Sequence, residues 1–429
     1  MQDCRHQLVS GRRPFFFLSG AYALWLLVVL AIFGYTPTND GEGYLELARQ
    51  CLAEGTPYPT TTVYQNEPFV WNIGIINLTE LSLWLTGSIK PLLVLLCLMK
   101  AATALFLSLT AEKFFGCKAA LAALFLFVFY PNNWGQSTML SSEIPSTSLC
   151  VAAVYCLKSS TPKFLIVGLL LGLANWFRPT ALIFMVAIAF FLFFSERRKA
   201  FRHVGVLIGG YALFVAVVGT SCLLRTGHFV YQARSYWFSM VDQCYDGAPV
   251  APHYGQPVWP EGTPRYIENH EQMDCFEYER IWRERSLDWL ADHKLDYLKK
   301  VPGRFFYMYQ NDHDNLTAFL PEKSYPENNY ITLPLRHFLT EVSSMNATQW
   351  LAVFTLLIYI GVLCLGLAGA IVMVRRRQYG QLLPLFIVVG GTLALVLVMH
   401  GETRFKDPLM PFVFMLAGSI FSSFKQHKA

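Results

Sequence analysis

The stretch 35-YTPTNDGEGYLELARQCLAEGTPY-58 follows a strongly apolar N-terminal segment and places Asp40, Glu42, Glu46 and Glu54 within a few turns of chain. Apolar residues Tyr44, Leu45, Leu47, Ala48, Cys51 and Leu52 recur at helical spacing after the acids, giving one face suited to the bilayer surface. Gly55 is placed to end that helix. Gly41 and Gly43 flank the first two acids and are expected to let the backbone turn tightly ahead of the helix. Two readings stand at this point. Either Asn39 or Asp40 caps the helix with Glu42 complementing its dipole, or the carboxylates do chemistry.

The 429 residues around this stretch are 54% hydrophobic and 15% charged, with a mean hydropathy of +0.36. Soluble domains carry about 25% charged residues, so the composition indicates a polytopic membrane protein. The formal charge of +5 is small and unevenly spread, and no helix-turn-helix, RRM or zinc-finger spacing accompanies it, which sets nucleic acid aside as a partner. The N-terminus is basic and leads into an apolar run without a small-residue cleavage site, the pattern of a retained signal anchor.

Ten segments are long and apolar enough to be read as spans: 15–35, 91–111, 118–134, 144–158, 164–177, 179–194, 203–224, 349–373, 381–399 and 405–424. Two of them come from one long apolar stretch split at Arg178-Pro179, because proline disfavours helix at the residue before it. With the N-terminus inside, the basic clusters Arg12-Arg13, Lys113/Lys118, Lys158/Lys163, 196-ERRKAFR-202, Arg375-Arg376-Arg377 and Lys425/Lys428 all face the cytoplasm. Loop 36–69, with one arginine and five carboxylates, then lies outside. An eleventh span at 70-VWNIGIINLTELSLWLTGS-88 would invert the later clusters, so that stretch is expected as a juxtamembrane or re-entrant helix.

The expected class is therefore an all-α polytopic membrane protein. It divides into an N-terminal transmembrane module (1–224), an extracytoplasmic loop domain of mixed structure (225–348), and C-terminal transmembrane helices (349–429). Within the loop domain, 277-EYERIWRERSLDWLADHKLDYLKKVPGRF-305 has helical periodicity ending near Pro302. Of the ten cysteines, Cys244 and Cys275 share this loop. They are either a disulfide in an oxidising compartment or two buried thiols.

This topology gathers the unusual ionisable residues on the outer side: Asp40 and Glu42; Glu143 in 139-MLSSEIPS-146; Arg178 in 174-ANWFRPTA-181; and His400, Glu402 and Arg404 in 399-MHGETRFKDPLMP-411. Ionisable groups at membrane depth are costly and mark sites or pathways. Lys100 lies midway along its span and either faces a lipid-phosphate groove or pairs with a carboxylate. His400 and Glu402 with Asp40 are a candidate divalent-metal set, although an HxE spacing on a loop has low specificity.

The acidic motif after the first span, the Tyr44-bearing amphipathic helix, the Glu143 turn, the FRPTA turn and the final 404-RFKDPLMPFVFMLAG-418 together resemble the GT-C class of membrane glycosyltransferases. The protein O-mannosyltransferase and lipid A aminoarabinose transferase branch is the most similar. The common form of the motif has adjacent Asp-Glu, whereas here Gly41 separates Asp40 from Glu42. The resemblance implies a polyprenyl-phosphate-linked sugar donor and a glycan, lipid or protein acceptor. It also implies an outward-facing site, which we expect in a bacterial inner membrane. By match to the motif it makes Asp40 the base of a single inverting displacement. Arg178, Arg404 and Lys100 become phosphate-binding candidates, and Glu42, Tyr44, Glu143, His400 and Glu402 further substrate-binding ones. Two other readings are a polymerase or ligase that moves whole lipid-linked glycans, and a secondary transporter. A transporter is disfavoured by the absence of a visible repeat.

Overall fold

The computed structural model describes residues 2–58, 71–158, 163–245, 266–269, 273–319, 345–398 and 401–422. Among the described residues, each apolar run of the sequence holds a helix. Helix α1 is Gln2–Phe33, α4 Lys90–Phe115, α5 Cys117–Val128, α7 Glu143–Leu157, α8 Phe164–Phe177, α9 Ala181–Glu196, α10 Arg198–Thr226, α15 Ala347–Arg375, α16 Leu383–Val398 and α17 Met410–Gly418, with the short α6 (Pro131–Gly135) between α5 and α7. Four helices among the described residues (within α1, and α4, α10 and α15) are long and apolar enough to cross a membrane, and the others are shorter apolar helices. The stretch 70–88 forms α3 (Ile73–Thr86), 14 residues long, and no strand occurs among the described residues.

The expected break at Arg178-Pro179 is present: Arg178 is extended at φ −153° and ψ 132° and closes α8. Helices α8 and α10 cross closely because each presents a glycine to the other. A Cβ on Gly168 would meet the Leu207 carbonyl oxygen at 2.1 Å, and one on Gly210 would meet that of Leu165 at 2.4 Å. Such small-residue crossings hold helices together where lipid removes any hydrophobic drive for association.

Helix α2 (Asn39–Glu54) corrects three readings. It begins at Asn39, so Gly41 and Gly43 lie inside it rather than in a turn before it. Its N-cap is Thr38, whose hydroxyl accepts from Gly41 N at 3.0 Å. Gly41 is required by space, because an added Cβ would sit 2.8 Å from Thr38 Oγ1 and 3.3 Å from the Leu140 carbonyl oxygen. Gly55 closes the helix at φ +66° as expected. The apolar face of α2 does not lie on the bilayer. Tyr44, Leu47, Ala48 and Cys51 are buried against Ile75, Ile76, Leu92, Leu96 and Phe177, so α3 and α4 cover it.

The large loop contributes α11 (Tyr236–Tyr245), α12 (Cys275–Asp292), α13 (Lys294–Lys299) and α14 (Val301–Tyr309). The single helix expected over 277–305 is thus three, and Pro302 starts the last of them, where its missing N–H is not needed. Cys244 packs with Met240 and Tyr297, while Cys275 packs with Tyr278 and Trp282. The two sulfurs are not bonded to each other, and of the two readings the buried thiols are the one found.

Candidate active site

Asp40 sits in the first turn of α2, and with Thr38 serving as the cap its carboxylate is directed elsewhere. Its Oδ2 lies 2.5 Å from Arg404 Nη1, across 364 positions of sequence. Arg404 also holds Glu402, with Nε 2.9 Å from Oε1. Arg404 is carried by the short 3-10 turn Thr403–Lys406, immediately before α17. The pair is accessible from outside, with side-chain exposures of 28% for Arg404 and 22% for Asp40.

Beside it lies a more deeply buried pair, Arg178 and Glu143, joined by a charge-assisted hydrogen bond. Ser141 Oγ donates to Glu143 at 2.8 Å, and Arg178 also reaches Ser142 Oγ at 3.3 Å. Tyr44 shares a hydrogen bond with Ser142 at 3.3 Å, and Asn72 Nδ2 donates to the Tyr44 oxygen at 2.9 Å. Helices α2, α7, α8 and the Arg404 turn thus meet at one point.

Burial raises the Asp40 carboxyl above its ordinary range. Arg404 pulls it back down, Glu143 and Glu402 push it up again, and Arg178 lowers it. A largely desolvated but still accessible carboxyl so balanced, next to an arginine, is the environment in which bases are tuned.

Not every candidate joins this cluster. Glu42 is exposed and accepts from the Tyr35 hydroxyl at 2.9 Å, and it is not among the charges acting on Asp40. Lys100 is buried and donates to Gln136 Oε1, while Gln136 Nε2 donates to Asp407 Oδ2 at 3.1 Å. An amide thus links it to a carboxylate, in a water-sized cavity of about 30 Å³ that Glu143 and Asp312 also line. His400 lies outside the described residues. Among the described residues no group of three His, Cys, Asp or Glu side chains has metal-binding geometry, and Asp40 and Glu402 both engage the same guanidinium.

Sequence reasoning missed the support of the Arg404 turn. Lys406, fully buried, lies 3.0 Å from Asp312 Oδ1 and donates to the carbonyl oxygens of Asn311 at 2.8 Å and Thr403 at 2.9 Å. Tyr130 donates to Asp312, and Thr403 donates to Asp314. The segment 311-NDHD-314 therefore grips the turn on both sides of Arg404. The available signal was the run of polar residues directly after the aromatic end of α14.

Comparison with known proteins accords with this architecture. Residues 75–222 match the family model of dolichyl-phosphate-mannose-protein mannosyltransferase, a region that holds Lys100, Glu143 and Arg178 but not Asp40 or Arg404. Among solved structures, the oligosaccharyltransferase of Archaeoglobus fulgidus in its apo form is similar over 94% of this chain at 13% identity, with a TM-score of 0.51. The same enzyme tethered to an acceptor peptide containing the NVT sequon is similar over 96% at 13% identity, with a TM-score of 0.53. The archaeal oligosaccharyltransferase AglB from Archaeoglobus fulgidus, in complex with an inhibitory peptide and a dolichol-phosphate, is similar over 96% at 12% identity, with a TM-score of 0.50. The chain spans 50% of the length of each. No curated protein matches the chain significantly. The family model over residues 75–222 and the shared fold both accord with the GT-C resemblance, and the apolar helices accord with an integral membrane protein.

Proposed function

We propose that the chain transfers a sugar from a polyprenyl-phosphate carrier to an acceptor on the extracytoplasmic side of the membrane, by a single inverting displacement with Asp40 as base. The observation that carries this reading is that Asp40 does not cap its helix but is held at Arg404, in a cluster with Glu143, Arg178 and Glu402. Arg404 binds the donor phosphate. As the phosphate draws the guanidinium, the Asp40 carboxylate is released to take the proton of the acceptor hydroxyl. The charge that develops on the leaving phosphate is stabilised by Arg404, and Arg178, oriented by Glu143, supports it from the buried side. Lys100 acts behind them through Gln136. Tyr44, fixed by Asn72, and Glu402 line the acceptor side, Glu42 binds at the outer rim, and His400 is a further substrate-binding residue.

The dolichol-phosphate named with one similar structure supports a lipid-phosphate donor. Ten helices cross the bilayer, module 1–224 and helices 349–429 flank the loop domain 225–348, and the host membrane is a bacterial inner membrane. Mass spectrometry of envelope glycans with and without the gene tests this reading. A lost mass of one hexose or pentose supports it, and an unchanged glycan profile sinks it. Loss of a whole glycan block would favour a ligase, the reading suggested by the oligosaccharyltransferase fold.

Two predictions follow from the roles and the topology. Arg404→Ala is expected to weaken binding of the polyprenyl-phosphate sugar by about tenfold or more, since charge-assisted contacts contribute about 1.5–3 kcal/mol. Unchanged donor affinity in an equilibrium binding assay would remove Arg404 from the phosphate site. For topology, impermeant thiol reagents should label Glu46→Cys and Asp288→Cys from the same face of sealed vesicles and Arg376→Cys from the other. Labelling of 46 and 288 from opposite faces would refute the ten-span arrangement.

A further inference from the structure

We infer that α13–α14 of the large loop is a membrane-inserted element, dipping its apolar side into the outer-leaflet lipid next to the Arg404 turn. The inference stands on where this segment is anchored and what it leaves uncovered.

The anchoring is to the end of α16 nearest that turn. Tyr297 donates to the Leu397 carbonyl oxygen at 2.7 Å, Arg304 to that of Val396 at 3.2 Å, and Tyr309 shares a 2.7 Å hydrogen bond with Thr392. Thr392 lies six residues before the end of α16 at Val398, about 9 Å along the axis at 1.5 Å per residue. Helix α16 has 16 residues, about 24 Å, shorter than the roughly 30 Å hydrocarbon layer. A segment beside Thr392 therefore lies below the level at which this helix ends.

The buried and exposed sides of α14 are opposite. Arg304 and Met308, one turn apart, are fully buried. Pro302, Phe305 and Phe306 form the i, i+3, i+4 stripe on the other side, with Phe305 50% and Phe306 68% exposed. Leu295 and Leu298 of α13 are 73% and 51% exposed. A helix facing water would carry polar side chains at these positions. The Phe305 ring packs 5.2 Å from that of Tyr309. The exposed stripe thereby continues onto α16, whose Leu393, Leu397 and Val398 are exposed at 53%, 42% and 41% in a helix that the proposed ten-span topology, on which this inference rests, places in the bilayer. Continuity with that belt makes lipid the occupant, at the depth of 5–10 Å typical of interfacial helices. The element is tied to the active site: Gly401, at φ +75°, lets the chain pass so close to Arg304 that a Cβ would meet its carbonyl oxygen at 2.3 Å.

The test places a nitroxide at Phe306→Cys, and separately at Leu295→Cys, in full-length protein carrying Cys4→Ser, Cys117→Ser and Cys364→Ser and held in phospholipid nanodiscs. Collision rates with oxygen, which concentrates in lipid, and with a water-soluble nickel chelate are compared with those at Asp288→Cys. Oxygen collisions should exceed nickel collisions at 306 and 295, with the reverse at 288. Nickel access at 306 and 295 would place the stripe in water and overturn the inference. Low access to both reagents would mean that protein covers it, from this chain or a second copy, and would overturn it equally. The readout needs no turnover, so it holds or fails independently of the proposed reaction.

Discussion

Asp40→Asn is expected to lower transfer by at least about 100-fold, the scale of general-base catalysis, while leaving a folded protein that binds its lipid donor. The structure removes the objection that Asp40 is needed to start its helix, because Thr38 caps it. Arg404 keeps Glu402 as an ionic partner, so the substitution does not strand a guanidinium. A carboxyl whose pKa rises on folding contributes stability below its unfolded pKa, and that contribution is lost as pH rises through the folded value. Burial places Asp40 in that class. At neutral pH the asparagine therefore removes a desolvated charge rather than a stabilising one, and lost activity would not report lost fold. The wild-type kcat/KM should rise with pH along a limb above the ordinary aspartate value of about 3.9, since only the ionised carboxylate accepts a proton. Arg404→Ala should move that limb higher, because it removes the charge that lowers Asp40. Normal turnover by Asp40→Asn, with Glu42→Gln or Glu143→Gln inactive, would transfer the base role to another carboxylate.

What the sequence made legible was whatever repeats or punctuates. The apolar runs set the helices, Arg178-Pro179 marks the α8–α9 break, and Gly55 ends α2. Charge placement grouped Asp40, Glu143, Arg178 and Arg404, and the fold brings these four side chains together. The start of α2 was not legible, because Thr38, Asn39 and Asp40 are all capping residue types in succession. The hydrogen bond from Gly41 N to Thr38 Oγ1 distinguishes Thr38 among them. The covering of α2 by α3 was also hidden, since an amphipathic face looks the same whether it meets lipid or protein. Least legible was the grip of residues 311–314 on the Arg404 turn. It joins two short irregular segments about ninety positions apart, and neither has a period that betrays its partner.

That grip gives the second large effect. Lys406→Met is expected to destabilise the protein by about 3–5 kcal/mol, the cost of removing one member of a buried ion pair. Lys406 is fully buried and Asp312 nearly so, with Tyr130 the only other side chain donating to that carboxylate among the bonds described. Methionine fills the volume of the lysine stem but leaves Asp312 without its cation and the Asn311 and Thr403 carbonyl oxygens without their donor. Adding Asp312→Leu removes the stranded charge, so the double variant should recover part of the loss. It should not recover all of it, because the two carbonyl oxygens remain unpaired. Thermal midpoints in detergent for the two single variants and the double give the coupling directly. Additive losses would mean that the pair contributes nothing as a pair, and an unchanged midpoint for Lys406→Met would mean that the Arg404 turn holds without it. If the grip is what orients Arg404, the double variant should also bind the polyprenyl-phosphate donor more weakly than the wild type at temperatures where both are fully folded. A fold-only role for Lys406 predicts equal donor affinity there.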